Sequence, residues 1–261
     1  MSSPPSHRGI VTRGLQKTFS GPDGDVHAVR GLDLEVEPGQ IVGLLGPNGA
    51  GKTTSLRMLA TLLRPTAGEA WIAGASVGNE PQTVRSRIGF QTGSTGVYDR
   101  LSPVEMIAFF GRLHGLSADT IAESTERLVA QFAMGEFRDR LCGRLSTGQK
   151  QKTSIARTVV HDPPVLIFDE PLAGLDVMVG KTVLEFIRSC RDEGKAIILS
   201  THRLPLAESI CDAVAIIYMG RRLAFGPTAE VIAGIGAESL EEAFFKYAEQ
   251  ADAAEPVGAD A

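Results

Sequence analysis

The spacing of apolar and polar residues predicts strands near the start of the chain, and then a strand followed directly by a helix. Apolar residues alternate with acidic ones from Leu32 to Glu37, which indicates a half-buried strand, and a looser alternation from Ile10 to Phe19 indicates another. The stretch Ile41–Leu45 is apolar or small throughout, as in a strand buried on both faces. A leucine recurs every three or four residues from Leu56 to Leu63, which predicts one face of a helix.

The pattern becomes helical in the middle of the chain and returns to strands afterwards. Ser102 and Glu105 form a capping-box pair with proline between them, which predicts a helix start, and Ser117 begins a second helical pattern. From about residue 92 to residue 158 the chain is mostly helical, whereas residues 165–170, 196–200 and 213–219 are typical of buried strands. We therefore expect an α/β core with a helical subdomain inserted into it.

Composition narrows the class of protein. The chain has 261 residues, of which 43% are hydrophobic and 22% charged, as in an ordinary globular domain. A net charge of −5 and a pI near 5.6 argue against a nucleic-acid binder, which usually has a basic surface. No uninterrupted apolar run reaches the length of a membrane span, and the polar N-terminal residues do not have the pattern of a signal peptide. The cysteines lack CxxC spacing, which predicts free thiols in a reducing compartment.

A glycine-rich segment joins the strand at Ile41–Leu45 to the helix after it. Its sequence, GPNGAGKTT, has the spacing of a phosphate-binding P-loop, which requires this strand-to-helix context. Glycine lets the backbone N–H groups turn toward an anion, and the helix N-terminus adds partial positive charge. We expect Lys52 to reach the β- and γ-phosphates of a nucleotide and the Thr53 hydroxyl to bind Mg²⁺. The predicted nucleotide-binding residues here are Gly46, Pro47, Asn48, Gly49, Ala50, Gly51, Lys52, Thr53 and Thr54.

Two adjacent acidic residues end the buried strand that begins at Val165. A P-loop enzyme needs an aspartate for Mg²⁺ and a group that positions the attacking water, and Asp169 and Glu170 could supply these roles. Neighbouring carboxylates repel each other unless a metal ion or a shared proton offsets their negative charge. The alternative is a solvated acidic turn, which a nearby P-loop makes less favourable.

Three other polar or aromatic positions are ambiguous by themselves. Gln91 and His202 each follow or end a predicted strand, where such residues are more often structural than catalytic, and Phe19 is equally consistent with a core residue.

The segment LSTGQ precedes another helical pattern, so its glycine at a helix N-terminus is a second candidate phosphate site, with plain N-capping by Ser146 as the alternative. One nucleotide would need both helix N-termini only if they came from different subunits.

Taken together, these motifs resemble the ATP-binding subunit of an ABC transporter. The segments GPNGAGKT, Gln91, LSTGQ, VLIFDEP, AGLD and STH occur in the order of that family, and the similarity covers about Ile10 to Ala233. One departure is Thr147, where the family most often has glycine. The resemblance implies ATP and Mg²⁺ as ligands and an α/β fold. That fold is a P-loop NTPase core with an antiparallel β subdomain and an inserted helical subdomain.

The resemblance also assigns roles to residues of this chain. Glu170 is implied to be the catalytic carboxylate, with His202 as the switch histidine and Gln91 sensing the γ-phosphate and the membrane partner. Phe19 is implied to stack on adenine, where tyrosine is more usual in the family, and Asp176 to contact the opposing subunit. The implied ligands of the metal are Thr53, Gln91 and Asp169. The implied contacts to the ATP of a partner subunit are Leu145, Ser146, Thr147, Gly148 and Gln149.

The domain boundaries follow from these assignments. We expect a disordered tail at residues 1–9, the ABC-type ATPase domain at 10–233 with its helical subdomain at about 92–158, a C-terminal helix at 234–250 with a capping box at Ser239, and a disordered acidic tail at 251–261.

The phrases YDRLSPVE, LSTGQKQK and VVHDPPVLIFDEP are similar to the branch that serves drug, sodium and polyketide exporters with separate membrane subunits. We therefore expect a homodimer that works with a transmembrane permease subunit, peripherally on the cytoplasmic side of the cell membrane, and does not bind nucleic acid. The alternatives are an ABC-type ATPase without a transport role, an importer subunit and a regulatory module that binds nucleotide without hydrolysis.

Overall fold

The strands form two sheets in this computed structural model, which describes residues 9–22, 24–92 and 96–254. The strands are β1 (Ile10–Gly21), β2 (Gly24–Val36), β3 (Ile41–Leu45), β4 (Ala67–Ile72), β5 (Ala75–Ser76), β6 (Ile88–Thr92), β7 (Val165–Asp169), β8 (Ala196–Thr201), β9 (Ala213–Tyr218) and β10 (Arg221–Pro227). The smaller sheet is antiparallel with the order β2-β1-β4-β5, and the larger has the order β10-β9-β3-β8-β7-β6. In the larger sheet only β10 runs antiparallel to its neighbour. The predicted α/β fold with an antiparallel β subdomain is confirmed.

Helices cover the larger sheet and build the inserted subdomain. They are α1 (Lys52–Leu59), α2 (Pro81–Arg87), α3 (Pro103–Leu113), α4 (Ala118–Gln131), α5 (Thr147–Val159), α6 (Val177–Asp192), α7 (Leu204–Ile210), α8 (Thr228–Ala233) and α9 (Leu240–Ala254), with one 3-10 turn at Cys142–Arg144. Helices α3, α4 and α5 lie between β6 and β7 in the chain, and α3 packs against both others. The capping box at Ser102 and Glu105 forms both of its hydrogen bonds, as predicted. In the part of the chain that the structure describes, none of the helices combines the length and apolarity of a membrane span.

The C-terminal region differs from the single helix expected at 234–250. Helix α8 ends at Ala233 and α9 begins at Leu240, because Gly234 and Gly236 follow α8 and Gly236 has a positive φ of 63°. Ser239 accepts a hydrogen bond from the Glu242 N–H, but the Glu242 carboxylate accepts one from the Glu238 N–H, so the capping box is shifted by one residue. The helix continues to Ala254, four residues beyond the predicted end. Residues 1–8 and 255–261 of the two predicted tails lie outside the described residues.

The strands of the larger sheet contribute alternate side chains to two separate cores. Ile41 and Leu45 of β3 pack with the helical subdomain, whereas Val42 and Leu44 of the same strand pack with the antiparallel sheet and α1. Period-two alternation in a strand with two buried faces produces this division. The helical subdomain and the β subdomain are thus held on opposite faces of one sheet.

The parallel strands bring the predicted site residues to one edge of the larger sheet. Parallel strands end at the same edge, and ligands of open α/β sheets bind outside those carboxyl ends. In the strand register Asp169 lies opposite Ser200 on one side and Thr92 on the other, and Leu45 lies opposite Thr201. The P-loop, the acidic pair and the STH segment therefore meet through the pairing of β3, β8 and β7.

Candidate functional site

The P-loop is shaped by two close approaches of its backbone to other strands. A Cβ on Gly46 would lie 2.1 Å from the Ile217 carbonyl oxygen, and one on Gly51 would lie 2.3 Å from the Ala28 carbonyl oxygen. Gly51 has φ 103° and immediately precedes α1. Any other residue at either position would displace the loop. Helix α1 begins at Lys52, so the N–H groups of its first turn have no helical carbonyl to bond and can meet an anion.

Lys52 is held across this loop by hydrogen bonds to two carbonyls. Its Nζ donates to the Gly46 oxygen at 2.7 Å and to the Pro47 oxygen at 2.9 Å, and its side chain is buried. Burial lowers the pKa of Lys52, while the carboxylates of Glu170 and Asp169 act in the opposite direction. An ammonium group has three N–H donors, so the fixed group retains one donor for a phosphate oxygen.

Asp169 is the meeting point of the P-loop helix and strand β8. Its Oδ1 accepts hydrogen bonds from the Thr53 hydroxyl at 3.0 Å and from the Ser200 hydroxyl at 2.6 Å. The carboxylate is buried, with 6% of the residue exposed. These bonds fix the orientation of the aspartate and place it beside the hydroxyl that was predicted to bind the same metal.

Glu170 follows Asp169 but turns away from it. Its backbone has φ 52°, in the left-handed region that non-glycine residues rarely adopt, and its N–H bonds to the Ser200 hydroxyl at 3.0 Å and the Ser200 carbonyl at 3.2 Å. Its Oε1 is 2.9 Å from the His202 Nδ1. The left-handed backbone at Glu170 separates the two adjacent carboxylates, so that Asp169 contacts Thr53 and Glu170 contacts His202.

A small pocket of about 160 Å³ lies between the P-loop and Glu170. It is lined by Ala28, Asn48, Gly49, Gly51, Lys52, Thr53, Thr54 and Glu170. Three of these residues belong to the first turn of α1, and the backbone of the loop supplies most of the remainder. The pocket can therefore surround a phosphate chain with N–H donors and one ammonium, while the carboxylate of Glu170, the residue after β7, faces it.

The residues predicted to bind Mg²⁺ fit a hard divalent cation. Thr53 offers a hydroxyl, Asp169 a carboxylate and Gln91 an amide oxygen, and such oxygen ligands suit Mg²⁺. The Gln91 side chain is buried, and its Nε2 donates to the Thr92 carbonyl at 2.8 Å. Among the described residues its Oε1 has no hydrogen-bond partner, which is an unusual state for a buried amide and is consistent with a cation ligand.

The LSTGQ segment forms the N-terminus of α5 but takes no part in the P-loop pocket. Ser146 is the N-cap, and the reciprocal hydrogen bonds between Ser146 and Gln149 complete a capping box, as plain N-capping would predict. Leu145 is buried, while Ser146 and Thr147 are exposed. A Cβ on Gly148 would lie 2.8 Å from the Val179 Cγ2, so glycine here allows α5 to approach α6. None of the five residues is among those that line the pocket.

Phe19 and Asp176 also lie apart from the pocket. Phe19 is 41% exposed near the tip of the β1–β2 hairpin, with the Lys17 ammonium 5.0 Å from its ring centroid. Asp176 is the N-cap of α6 and accepts hydrogen bonds from the N–H groups of Met178 and Val179. The structure thus unites the P-loop, the acidic pair and His202, and leaves the adenine-stacking and subunit-contact roles as predictions.

Sequence reasoning did not assign roles to two residues that organise the site. Ser200 bonds to Asp169 through its hydroxyl and to the Glu170 N–H through both of its oxygens, so it connects both acidic residues. Gln151 on α5 donates from Nε2 to the Pro171 carbonyl at 2.9 Å and joins the LSTGQ helix to the turn after Glu170. The only sequence signal was a serine beside Thr201-His202 and a glutamine two residues after LSTGQ.

The geometry defines a class of protein. A P-loop at the carboxyl edge of a parallel sheet, with an aspartate bonded to the P-loop threonine and a second acidic residue at the pocket, is the arrangement of P-loop nucleoside triphosphatases.

Comparisons identify the family within this class. The ABC transporter family profile matches residues 29–173. The chain is 40% identical over 212 residues to the ABC transporter ATP-binding protein NatA of Bacillus subtilis (strain 168), which is 81% of this chain and 86% of that protein. It is also 40% identical over 233 residues to the daunorubicin/doxorubicin resistance ATP-binding protein DrrA of Streptomyces peucetius, which is 89% of this chain and 69% of that protein.

A solved structure of the ATP-binding subunit of an ABC transporter has the same fold. It superposes with a TM-score of 0.84 at 27% sequence identity, over 92% of this chain and 99% of that one. The chain belongs to the ABC transporter family, and its predicted nature as an ATP-binding ATPase subunit is confirmed.

Proposed function

We propose that this chain hydrolyses ATP to energise an exporter whose membrane-spanning part is a separate subunit. The observation that supports it most directly is the hydrogen-bond network beside the P-loop pocket, which joins Asp169, Ser200, Glu170 and His202. A nucleotide-binding regulatory module would need the P-loop but not a second carboxylate oriented by a histidine. The network therefore favours hydrolysis over binding alone.

The residues of the chain perform distinct parts of the reaction. The first-turn N–H groups of α1 and the Lys52 ammonium bind the phosphate oxygens of ATP and stabilise the charge that develops on them. Thr53, Asp169 and Gln91 would hold Mg²⁺, which when bound would neutralise phosphate charge. The Glu170 carboxylate orients a water molecule in line with the γ-phosphate and accepts a proton from it. His202 holds that carboxylate through its Nδ1 contact at 2.9 Å.

The direction of transport is supported by relatives rather than by the site. DrrA is named for resistance to daunorubicin and doxorubicin, and another relative, 40% identical over 234 residues, is named a Nod factor export ATP-binding protein. The first name describes resistance to two compounds, and the second describes export of a compound. The chain matches both relatives over 89% of its length, and this similarity supports export over an importer subunit or an ABC-type ATPase without a transport role.

Replacement of the proposed catalytic carboxylate tests hydrolysis. Glu170→Gln keeps the size of the side chain and an oxygen that can accept a hydrogen bond, but it removes the charge that accepts the proton. We expect retained ATP binding and a turnover reduced by about 10²–10⁴-fold, the usual contribution of a general base. The control is Glu185→Gln, which changes an exposed glutamate on α6 that pairs with Lys181. Turnover of Glu170→Gln equal to that of the control would refute the assignment.

We also propose that two copies of the chain share each ATP. Within one chain the exposed N-terminus of α5 takes no part in the P-loop pocket, so it is available to close the pocket of another copy. Beyond Asp176, the apolar side chains of Val177 and Met178 are 87% and 73% exposed, as expected for a surface that a partner covers. A two-fold axis would pair the same two surfaces twice and create two equal sites.

A mixing experiment tests the shared site. Lys52→Ala should inactivate the P-loop half of a site, and Ser146→Arg should block the opposite half with a bulky cation. Each variant alone should be inactive, whereas a mixture should contain heterodimers with one intact site. We expect partial recovery of ATPase activity on mixing, and full activity of Ser146→Arg as a strict monomer would refute sharing.

We propose that the membrane partner contacts the chain next to Gln91. Gln91 lies near the carboxyl end of β6, the strand that precedes the helical subdomain in the chain, and its amide oxygen has no hydrogen-bond partner among the described residues. A contact here would transmit the state of the γ-phosphate to a permease. The chain would then work peripherally on the cytoplasmic face of the membrane.

A further inference from the structure

The hairpin formed by β9 and β10 runs beside the P-loop, although the two are far apart in the sequence. In the parallel pairing of β3 with β9, Leu45 lies opposite Ile216. Because β3 ends at Leu45, the last residues of β9 extend past that end and lie next to the loop instead of a strand. A two-residue turn, Met219 and Gly220, then joins β9 to β10. The hairpin turn is therefore a neighbour of the nucleotide site.

The hairpin contacts the P-loop at both ends of the loop. At the start of the loop, the Ile217 carbonyl occupies the space that a Cβ on Gly46 would need. Toward the end of the loop, the Gly220 N–H donates a hydrogen bond to the Ala50 carbonyl at 3.1 Å. Gly220 and Ala50 are both buried, so this bond is shielded from water and is stronger than an exposed one. The loop is thus held by one close approach and one hydrogen bond.

The same turn also holds strand β2 against the loop. The Gly220 carbonyl accepts a hydrogen bond from the Arg30 N–H at 2.8 Å. A Cβ on Gly220 would lie 3.1 Å from the Ala28 carbonyl oxygen, and a Cβ on Gly51 would lie 2.3 Å from that same oxygen. Both glycines therefore face the Ala28 carbonyl, one from the turn and one from the P-loop. The backbones of the turn, the loop and β2 meet at this point.

The hydrogen bond from Gly220 fixes the direction of an N–H group in the P-loop. The Ala50 carbonyl and the Gly51 N–H belong to one planar trans peptide unit, in which the two groups point in opposite directions. Because the Ala50 carbonyl is bonded to the turn, the Gly51 N–H points away from the turn. Gly51 is one of the residues that line the P-loop pocket. The turn therefore sets the orientation of a donor at the nucleotide site.

We propose that Gly220 is a positioning residue for ATP, which orients the Gly51 N–H toward the phosphate oxygens by holding the peptide between Ala50 and Gly51. The proposal rests on the proposed function only in assigning the P-loop pocket to the phosphates of ATP. Gly220 does not line the pocket, so it acts through the loop. Ala50 lies between two glycines, which allow its peptides to rotate at little cost. The turn supplies the restraint that the glycine-rich loop lacks.

The turn needs a particular backbone shape to make this bond. Met219 has φ 46° and Gly220 has φ 78°, and two positive φ values in a two-residue hairpin are those of a type I′ turn. Asparagine followed by glycine is the preferred sequence of such a turn, whereas a β-branched residue is strongly disfavoured at positive φ. Met219 is 57% exposed. Its side chain can therefore be changed to disturb or keep the turn while Gly220 itself is retained.

Nucleotide binding to the full chain tests the proposal. The probe is the β,γ-methylene analogue of ATP with Mg²⁺, which has three phosphates and is not hydrolysed. Gly220→Ala places a methyl group against β2 at a positive φ and should displace the turn, so we expect affinity by calorimetry to fall about tenfold. The control is Gly194→Ala, at a positive φ of 86° before β8, at the sheet edge opposite the P-loop. Equal affinity of these two variants would overturn the proposal.

Substitutions of Met219 repeat the test without a methyl group on Gly220, and they decide the matter if Gly220→Ala does not fold. Met219→Val should shift the turn and weaken binding of the analogue about threefold or more. Met219→Asn suits a type I′ turn and should bind the analogue as tightly as wild type. If Met219→Val bound as tightly as Met219→Asn, the turn would not position the loop and the proposal would be wrong.

Steady-state ATP turnover separates positioning from a loss of folded protein. An N–H group that binds the phosphates equally in the ground state and the transition state affects KM alone, so Gly220→Ala should raise KM about tenfold and leave kcat nearly unchanged. A purely structural role would reduce the fraction of active protein and lower kcat at an unchanged KM, and that result would also overturn the proposal. Glu170→Gln reports on hydrolysis separately. The binding measurements do not depend on hydrolysis, so the positioning role and the proposed function can fail independently.

Discussion

The hydroxyl of Ser200 offers a sharp test of how the two acidic residues are positioned. It donates to the Asp169 Oδ1 at 2.6 Å and accepts from the Glu170 N–H at 3.0 Å. Ser200→Ala removes both contacts without adding volume. Among the described residues, the Asp169 carboxylate would keep its bond from Thr53, and the Glu170 N–H would keep the longer bond to the Ser200 carbonyl.

The expected loss follows from the number and kind of these bonds. One hydrogen bond to a charged group and one neutral bond contribute roughly 2–4 kcal/mol together when both are intact. Relaxation and the bonds that remain should recover part of this, so we expect turnover to fall by about 10–100-fold, which corresponds to about 1.4–2.7 kcal/mol in activation free energy. ATP affinity should change little, since Ser200 does not line the pocket.

Ser189→Ala is a matched control for this experiment. The Ser189 hydroxyl also donates one hydrogen bond, to the Phe186 carbonyl, and accepts one, from the Gln131 Nε2, but it lies on α6 away from the P-loop. Both variants should lose a similar amount of unfolding free energy, about 1–2 kcal/mol. Steady-state ATP turnover and thermal unfolding measured on both would separate positioning from folding. Equal turnover in the two variants would refute the view that Ser200 positions the acidic pair.

Two further predictions concern charge. Lys52→Ala should weaken ATP binding about tenfold or more in calorimetry, because it removes the ammonium that meets the phosphate oxygens, whereas Lys246→Ala on α9 should leave affinity unchanged. Burial, together with the neighbouring His114, lowers the pKa of His161 from 6.5 to about 4. Between pH 6.5 and pH 4, His161 is therefore protonated in the unfolded chain but neutral in the folded chain. The free energy of unfolding should therefore be highest above pH 6.5 and should fall by about 3 kcal/mol as the pH is lowered to 4. His161→Gln should flatten the pH dependence of unfolding in that range, and an unchanged slope would contradict the assignment.

The elements with the strongest local patterns could be predicted closely. The strand at Ile41–Leu45 has the predicted bounds, because its continuous apolar run is set off by a proline-glycine turn and a P-loop. Helix α3 begins at Pro103 after the predicted cap. Helix α1 ends at Leu59 rather than near Leu63, since Thr61 adopts a positive φ of 60° that the leucine spacing does not reveal. Helices α2 and α7 have seven residues each, too few for a helical period to stand out.

The candidate site was predictable to the extent that single segments carry its chemistry. Lys52, Asp169 and Glu170 each belong to a local motif, so a role could be proposed for each of them before their positions were known. Ser200 could not, because its role comes from the register that places it opposite Asp169 across two strands separated by α6. Gly220 was hidden for a similar reason, since nothing in the sequence of the β9–β10 turn shows that its N–H bonds to the Ala50 carbonyl.

The adjacent acids Asp169 and Glu170 show how backbone geometry can resolve an electrostatic conflict. Two neighbouring carboxylates at a strand end would repel each other if both faced the phosphates. A left-handed residue costs about 1–3 kcal/mol, and here it turns Glu170 so that its carboxylate contacts His202, while the Asp169 carboxylate accepts the hydrogen bond from Thr53. The Ser200 bonds to the Glu170 N–H hold this conformation and simultaneously fix Asp169. Strain at one residue therefore separates the proposed metal ligand from the proposed water-activating carboxylate, and the separation depends on strand β8 rather than on either acid alone.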